Sequence, residues 1–319
     1  MKPTIPLADY LFSRLRQLGV TSIHGVPGDY NLTLLDYVEP AGLHWVGNCN
    51  ELNAGYAADG YARIKELGAL ITTFGVGELS AINAIAGAYT ERAAVVHIVG
   101  TPSRASQDSR LRIHHTFNDG NYRRFAQIYS QVTVAQASLR DPRMCPDQID
   151  EVLRQCLLQS RPVYIEVPED LVTASVESTR LAQKISLPQA IPEAGAEKVL
   201  ELVLDRIYSA KQPLVLADGE IKALGIEKEV QTFVSDTNIP TWTTSFGKGL
   251  LNETLPNFHG IYRGRFAEPT TKEFVGSADL VLLFGPHLSS TNTYTFSSIP
   301  DPNITISFTM PGLSASSKS

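Results

Sequence analysis

Apolar positions in the first half of the chain alternate between a helical spacing and short continuous runs. Leu7, Leu11 and Leu15 recur every four residues, which is the spacing of one helix face, and Gly19 is expected to end this helix. The continuous apolar run that follows, at 20–26, is typical of a buried strand. The same alternation predicts further helices at 32–38, 51–67 and 78–92, and further strands at 43–47, 69–74, 94–99 and 163–167.

The second half of the chain repeats this type of pattern after a break. Residues 175–192 are rich in Ser, Thr and Gln and show no apolar period, which predicts an interdomain linker. An amphipathic helix around 199–207 follows, and then come predicted strands at 213–217 and 280–284 with a helix at 226–234 between them. Beyond Ile306 the Ser-rich residues resemble a frayed end.

Alternating strands and helices are typical of parallel sheets with helices on both faces. We therefore predict an α/β protein with two doubly wound, mostly parallel sheet domains. The expected boundaries are a first domain at 1–175, a linker at 176–193 and a second domain at 194–319 that is C-terminally incomplete.

Composition and charge narrow the classes of function. Of the 319 residues 43% are hydrophobic, and 33 acidic against 27 basic side chains give a formal charge of -6. A protein held on nucleic acid or on an anionic membrane by its charge would carry a basic surface, so small molecules or proteins are the expected partners. No signal segment and no run of about 18 apolar residues is visible, which favours a cytoplasmic location. The three cysteines, Cys49, Cys145 and Cys156, are widely spaced and are expected to be buried free thiols.

Several residues capable of chemistry follow successive predicted strands. Asp29 lies in the turn after the first strand, Glu51 opens a helix after the second, and His114 and His115 lie in a polar segment after the fourth. Each also has a purely structural interpretation, as a turn residue, a first-turn glutamate or a pair of solvated loop histidines. Because parallel strands place their carboxyl ends at one edge, we expect these residues to converge there. Carboxylates and imidazoles in one cleft suit proton transfer on an organic substrate.

The turn Gly75-Val76-Gly77 leaves the third strand and enters a helix. Backbone amides there could meet a polar ligand edge, although tight packing between strand and helix explains the glycines equally well. The third glycine of a dinucleotide fingerprint is replaced by Ser80, and no phosphate-loop lysine follows. A nicotinamide-binding domain is therefore not predicted.

Three longer segments and the histidine pair carry a specific family resemblance. The chain resembles the thiamine-diphosphate-dependent 2-oxo acid decarboxylases, and within them the fungal pyruvate decarboxylase type, from about residue 4 to about residue 309. The matching segments are 24–31 (HGVPGDYN), 50–63 (NELNAGYAADGYAR), 72–80 (TTFGVGELS) and 114–116 (HHT).

This resemblance implies a function. It implies non-oxidative decarboxylation of a 2-oxo acid, most often pyruvate to acetaldehyde and carbon dioxide, through a carbanion and an enamine on thiamine diphosphate. Glu51 would hydrogen-bond the pyrimidine ring, while Asp29, His114 and His115 would position the substrate and transfer protons. The first domain would be the pyrimidine-binding domain. The implied cofactor-binding residues are Glu51, Val26, Pro27, Thr73, Gly75, Val76 and Gly77.

One family feature does not occur in the sequence. Family members hold the diphosphate through Mg²⁺ in a third domain that carries a Gly-Asp-Gly motif, and no Gly-Asp-Gly occurs here. The chain alone is therefore expected to bind the cofactor weakly and to turn over little substrate, and none of its own residues is assigned to the metal. The resemblance implies a homodimer or a homotetramer. The alternative hypothesis is a non-catalytic module that pairs with a complete homologue.

Overall fold

The computed structural model of the chain describes residues 2–187, 195–309 and 312–315, the last of these for the backbone only. The chain divides into two compact units, Met1–Gln189 and Ala190–Ser319. Each unit contains its own six-stranded sheet, so each is described by itself.

The first unit alternates strands and helices along most of its length. Its helices are α1 Leu7–Gln17, α2 Leu32–Leu35, α3 Glu51–Lys65, α4 Val76–Thr90, α5 Arg104–Asp108, α6 Arg124–Tyr129 and α7 Cys145–Gln159. Its strands are β1 Thr4–Pro6, β2 Ser22–Gly25, β3 His44–Gly47, β4 Gly68–Thr73, β5 Val95–Thr101, β6 Gln136–Ser138, β7 Val163–Pro168 and β8 Ser175–Glu177.

The main sheet of the first unit has the strand order β3-β2-β4-β5-β7-β6, and every pairing within it is parallel. Every residue of β4, β5 and β7 is buried, which is the environment of a sheet covered on both faces. One core cluster contains Leu11 and Leu15 of α1, and another contains Ala58 of α3 and Ala81 of α4. The predicted doubly wound α/β architecture is confirmed.

Residues 175–182 differ from the predicted linker. β8 pairs with β1 in antiparallel register, and a short 3₁₀ helix follows at Thr179–Ala182. Buried Arg14 of α1 binds the carboxylate of Asp150 at 2.7 Å through two nitrogens and donates to the carbonyl oxygens of Arg180 and Gln183 at 2.8 and 2.6 Å. The segment lacks an apolar period because polar contacts with a buried guanidinium help to hold it on the first unit. Residues 188–194 of the predicted linker lie outside the described residues.

The second unit has a similar plan. Its helices are α8 Ala196–Ser209, α9 Glu220–Leu224, α10 Glu227–Thr237 and α11 Pro269–Gly276. Its strands are β9 Pro213–Ala217, β10 Thr241–Thr243, β11 Phe258–Ile261, β12 Leu280–Phe284, β13 Thr305–Thr309 and β14 Gly312–Ala315. The order is β11-β10-β9-β12-β13-β14, and all pairings are parallel except the antiparallel pairing of β13 with β14. The expected frayed end therefore includes a paired strand at Gly312–Ala315, whereas Met310, Pro311 and 316–319 lie outside the described residues.

Cys145 and Cys156 are buried free thiols as predicted, but Cys49 is exposed, because it lies in the loop between β3 and α3 rather than in an element. Among the described residues, no helix combines the length and the apolar character needed to cross a membrane.

Candidate functional site

The candidate site lies at the carboxyl edge of the first unit's sheet, where the direction of the chain connections reverses. β2 and β4 are neighbours, but the chain leaves β2 towards β3 and leaves β4 towards β5. The loops on the two sides of such a switch point diverge and leave a crevice in which open α/β sheets bind ligands. The residues singled out in the sequence follow the four strands β2 to β5 at this edge.

Asp29 and the two adjacent histidines form one cluster at this edge. Nε2 of His114 is hydrogen-bonded to Oδ2 of Asp29, and Nδ1 of His115 lies 3.8 Å from Oδ1 of the same carboxylate. The centroids of the two imidazole rings are 4.7 Å apart. The structure thus brings Asp29 to a histidine pair that lies more than eighty positions later in the chain.

The electrostatics of this cluster follow from its contacts. Desolvation acts to raise the pKa of the Asp29 carboxyl, but the hydrogen bond with His114 and the charges of both histidines outweigh it and hold that pKa below its ordinary value. Tyr30 stacks on His114 with ring centroids 5.2 Å apart, and its Oη lies 3.4 Å from Nδ1 of His114. Burial and the nearby Asp29 charge raise the pKa of Tyr30 to about 12, so its phenol keeps its proton at neutral pH.

The turn at Gly75 lies directly against the histidine pair. Gly75 has φ 75°, and a Cβ at this position would lie 1.9 Å from the carbonyl oxygen of His115. A side chain here would meet both a strained backbone conformation and a backbone clash, so only glycine fits. The loop after β4 and the loop that carries the histidines therefore touch through their backbones.

Glu51 and Thr73 both lie against Gly77 of this turn. Glu51 is the first residue of α3, where the side chain of Asn50 caps the helix by accepting a hydrogen bond from the backbone N–H of Asn53 at 2.8 Å. A Cβ at Gly77 would lie 3.1 Å from Oε1 of Glu51 and 2.8 Å from Cγ2 of Thr73. The Glu51 carboxylate therefore lies against the bare backbone of Gly77 and beside Thr73.

The lining of this crevice fits a flat heterocycle with a polar edge. Oγ1 of Thr73 is buried and has no hydrogen-bond partner among the described residues. A buried hydroxyl without a partner is rare in folded proteins and marks a place where a ligand atom could bind. Val76 is 57% exposed beside it, so an apolar side chain is available to contact a ring face. The carboxylate, the free hydroxyl and the missing Cβ atoms together suit the pyrimidine ring of thiamine diphosphate.

Val26 and Pro27 belong to the loop after β2, which a buried asparagine holds in shape. Nδ2 of Asn31 donates to the carbonyl oxygen of Val26 at 3.1 Å, and its Oδ1 accepts from the backbone N–H of Gly28 at 2.9 Å. Pro27 is exposed at the tip of this loop. Asn31 is not among the predicted site residues, although asparagine side chains commonly hydrogen-bond nearby backbone in turns.

Glu78 is a further residue that the sequence analysis does not identify, and it stabilises the Gly75 turn by a buried hydrogen bond. Its Oε1 accepts from the backbone N–H of Gly75 at 2.7 Å, and its Oε2 accepts from the hydroxyl of Tyr164 at 2.6 Å. Glu78 is completely buried, and this desolvation raises its pKa to about 8 against the opposing effect of both hydrogen bonds. The signal available in the sequence was a glutamate at the third position of a helix, which is where a capping box places it.

Comparisons with known proteins agree with this geometry. Residues 5–124 match the family described as thiamine pyrophosphate enzyme, N-terminal TPP binding domain, and residues 200–310 match its central domain. A pyruvate decarboxylase from Aspergillus parasiticus is 60% identical over 294 residues, which are 92% of this chain and 50% of the relative. Pyruvate decarboxylases from Aspergillus fumigatus and Kluyveromyces marxianus are 46% and 45% identical, over 93% and 92% of this chain and 52% of each relative.

The chain thus spans about half the length of the curated relatives it matches. The two matched ranges lie one in each compact unit, and the first includes the whole crevice from the loop after β2 to the histidine pair. The chain belongs to the thiamine pyrophosphate enzymes, of which it carries the N-terminal TPP-binding domain and the central domain.

Proposed function

We propose that this chain provides the pyrimidine-binding half of a decarboxylase that converts pyruvate to acetaldehyde and carbon dioxide. The observation that supports this best is the convergence of two chemically distinct groups at one switch point. Glu51 and Thr73 lie against Gly77 of the turn, and His115 of the Asp29 cluster lies against Gly75 of the same turn. The pyruvate decarboxylases that resemble this chain support the choice of reaction.

In this proposal the groups around Gly77 hold the cofactor. The Glu51 carboxylate would accept a hydrogen bond from the polar edge of the pyrimidine, and the Thr73 hydroxyl would satisfy a second polar atom. Val26, Pro27 and Val76 would contact the ring from the loops after β2 and β4. When bound, thiamine diphosphate supplies the electron sink that makes loss of carbon dioxide from a 2-oxo acid feasible.

The Asp29 cluster would handle protons at the substrate. Because the pKa of Asp29 is held below its ordinary value, the residue is a carboxylate at neutral pH and orients the His114 imidazole through Nε2. A neutral imidazole has one nitrogen that donates and one that accepts a proton, so His114 can both give and take a proton at this position. Exposure of His114 leaves its ring open to a substrate that enters from the crevice.

The proposal also concerns the metal ion, the number of subunits and the location. It includes Mg²⁺ as the ion that holds the cofactor diphosphate, bound by residues outside this chain, and an assembly of two or four subunits in the cytoplasm. For a polypeptide of these 319 residues without such a partner region, we expect weak cofactor binding and little turnover.

The decisive experiment completes the chain and then removes Glu51. Residues 1–309 are joined to the corresponding second half of the Aspergillus parasiticus relative, and acetaldehyde is measured with a coupled alcohol dehydrogenase. We expect Glu51→Gln to lower kcat by about 100-fold or more, because the amide has neither the charge nor the exchangeable proton with which the carboxyl group would act on the pyrimidine edge. Thermal unfolding should be unchanged, because the amide keeps the size of the side chain.

Glu227→Gln is the matched control. Glu227 is the first residue of α10 in the second unit and is half-buried like Glu51, so its loss changes the same kind of helix-dipole interaction in a different helix. Equal activity of the Glu51→Gln and Glu227→Gln variants would reject the role of Glu51. A folded chimera that binds the cofactor but makes no acetaldehyde would reject pyruvate as its substrate.

A further inference from the structure

We propose that Asp29, His114 and His115 form a binding site for a first-row transition-metal dication, of which Zn²⁺ is the representative. This ion is distinct from the magnesium that accompanies the cofactor diphosphate. One potential ligand atom from each of the three side chains lies within 4.8 Å of the other two. One carboxylate and two imidazoles are the ligand types that such ions prefer, and three protein ligands leave a coordination position open.

The backbone explains how two consecutive histidines can face one ion. Neighbouring residues in an extended chain point to opposite sides, so an ordinary strand could not present both rings to Asp29. His115 instead has φ 63°, in the left-handed region, and its carbonyl oxygen lies against Gly75. The two rings consequently lie on the same side, with their planes at 73°. The conformation is held by contact with the Gly75 turn rather than by an intrinsic preference of the loop.

One pair of ligand atoms already has nearly the spacing that a tetrahedral ion needs. With metal–ligand bonds of about 2.0–2.2 Å, ligand atoms in a tetrahedral site are separated by about 3.4 Å. Nδ1 of His115 lies 3.8 Å from Oδ1 of Asp29, so a small rotation of either side chain brings the pair to this distance. That nitrogen is buried and has no hydrogen-bond partner among the described residues, which leaves it available to an ion.

A second layer of contacts would orient the ligands. If Nε2 of His114 binds the ion, its Nδ1 carries the proton and can donate it to the Tyr30 hydroxyl, which lies 3.4 Å away. Metal-bound histidines commonly donate their second nitrogen in this way, and such partners increase metal affinity. Tyr30 is only 8% exposed and stacks on the His114 ring, so this acceptor is fixed before any ion arrives.

Two of the three side chains that form the site are exposed, whereas Nδ1 of His115 is buried. Asp29 and His114 are 45% and 60% exposed, and no further metal cluster of this kind occurs among the residues that the structure describes. An ion at this position would occupy the atoms that the proposed function assigns to proton transfer. In so far as that function is correct, Zn²⁺ should inhibit it, but the binding itself depends only on the geometry of the three side chains.

The test uses the 319-residue chain without a histidine tag and with Cys49→Ser, because Cys49 is an exposed thiol that could bind zinc by itself. Zn²⁺ binding is measured by calorimetry, and Co²⁺ is used as a spectroscopic probe of the ligands. We expect one ion per chain and a Co²⁺ spectrum typical of nitrogen and oxygen ligands. Asp29→Asn, His114→Gln and His115→Gln should each weaken binding by about tenfold or more, and Tyr30→Phe by a smaller factor.

His44→Gln is the control, because His44 is an exposed imidazole that also lies beside a carboxylate, 3.4 Å from Glu39. It should leave Zn²⁺ affinity unchanged. Circular dichroism of each variant checks that loss of binding is not loss of folding. Equal Zn²⁺ affinities for the His44, His114 and His115 variants would overturn the proposal, as would substoichiometric binding to a folded chain. None of these outcomes depends on decarboxylase activity, so failure of the metal site and failure of the proposed function are separate results.

Discussion

Glu78 makes the stability of the first unit depend on pH in a direction opposite to that of most carboxyl groups. It is completely buried, and desolvation raises its pKa to about 8. An unfolded glutamate loses its proton near its ordinary pKa of about 4.3. Between these values the folded chain binds one proton more than the unfolded chain. Stability is therefore fully present below the unfolded pKa and is lost as pH rises towards 8.

The magnitude follows from the same linkage. Each pH unit in this window lowers the free energy of unfolding by at most ~1.4 kcal/mol. Near the folded pKa the decrease per pH unit becomes smaller, because Glu78 then begins to ionise in the folded state as well. Between pH 6 and pH 8 the expected loss is about 2 kcal/mol. Glu78→Gln keeps the size and the acceptor for the Gly75 N–H but cannot ionise, so it should remove this loss.

His97 is a second buried group that makes stability depend on pH. Burial lowers the pKa of His97 to about 3, so its imidazole stays neutral in the folded chain, and its contribution to stability rises with pH up to its unfolded pKa near 6.5. Below that value the two slopes oppose each other. The comparison is therefore made between wild type and Glu78→Gln at each pH, so that the His97 contribution is common to both.

The assay is urea unfolding followed by tryptophan fluorescence at several pH values from 6 to 8. The chain contains two tryptophans, and the background variant Trp242→Phe leaves Trp45 as the reporter of the first unit. Glu227→Gln serves again as the surface control. Parallel pH curves for wild type and Glu78→Gln would refute the reasoning, because they would mean that Glu78 has the same charge in the folded and unfolded chains throughout this range.

Three further predictions concern stability and cofactor binding. Gly75→Ala should destabilise the first unit by roughly 2 kcal/mol or more in thermal unfolding, since its Cβ would meet a carbonyl oxygen at 1.9 Å. Gly87→Ala in the last turn of α4, where a Cβ would meet no atom within 4 Å, should instead stabilise it by up to about 1 kcal/mol. Asp150→Ala leaves Arg14 buried without its carboxylate and should cost about 3–5 kcal/mol in urea unfolding; a loss below 1 kcal/mol would show that water reaches the guanidinium. Thr73→Val should leave the free energy of unfolding unchanged or raise it by about 1 kcal/mol, because the hydroxyl has no partner among the described residues, yet it should weaken thiamine diphosphate binding to the completed enzyme; a clear loss of stability would contradict this.

Several of the regular elements could be predicted because local patterns specify them, whereas nothing was predicted for β10, β11 and α11 between 234 and 280. The strand at Leu280–Phe284 and the helix at Glu51–Lys65 have strong apolar or small-residue patterns and appear within a few residues of their predicted bounds. β8 could not be predicted in this way, because it has three residues and pairs with β1 from the other end of the unit. Segments that are held by distant polar contacts carry no period in their own sequence.

The same distinction applies to the candidate site. The convergence of Asp29 with the histidines followed from strand order alone, because parallel strands end at one edge. The hydrogen bond between Tyr164 and Glu78 could not be predicted in this way. Tyr164 is 86 positions away from Glu78, and only the assembled sheet brings its hydroxyl to that carboxylate. Spacing in a sequence can place residues at an edge but cannot show which buried group holds them there.

The places where this chain departs from ordinary local preferences coincide with the crevice. Gly75 and His115 both have positive φ and touch each other. Close to this contact in the chain are two buried polar atoms that have no hydrogen-bond partner among the described residues, Oγ1 of Thr73 at the end of β4 and Nδ1 of His115. Strain and unsatisfied polar groups are costly, and folds keep them mainly where function requires them. Relief of these costs by a ligand is a physical reason for the chain to bind one here: a ring edge would satisfy Thr73, and either a substrate or a metal ion would satisfy His115. Binding of any such ligand should therefore raise the thermal stability of the first unit, and it should do so less in the Thr73→Val or His115→Gln variant that has lost the corresponding unpaired atom.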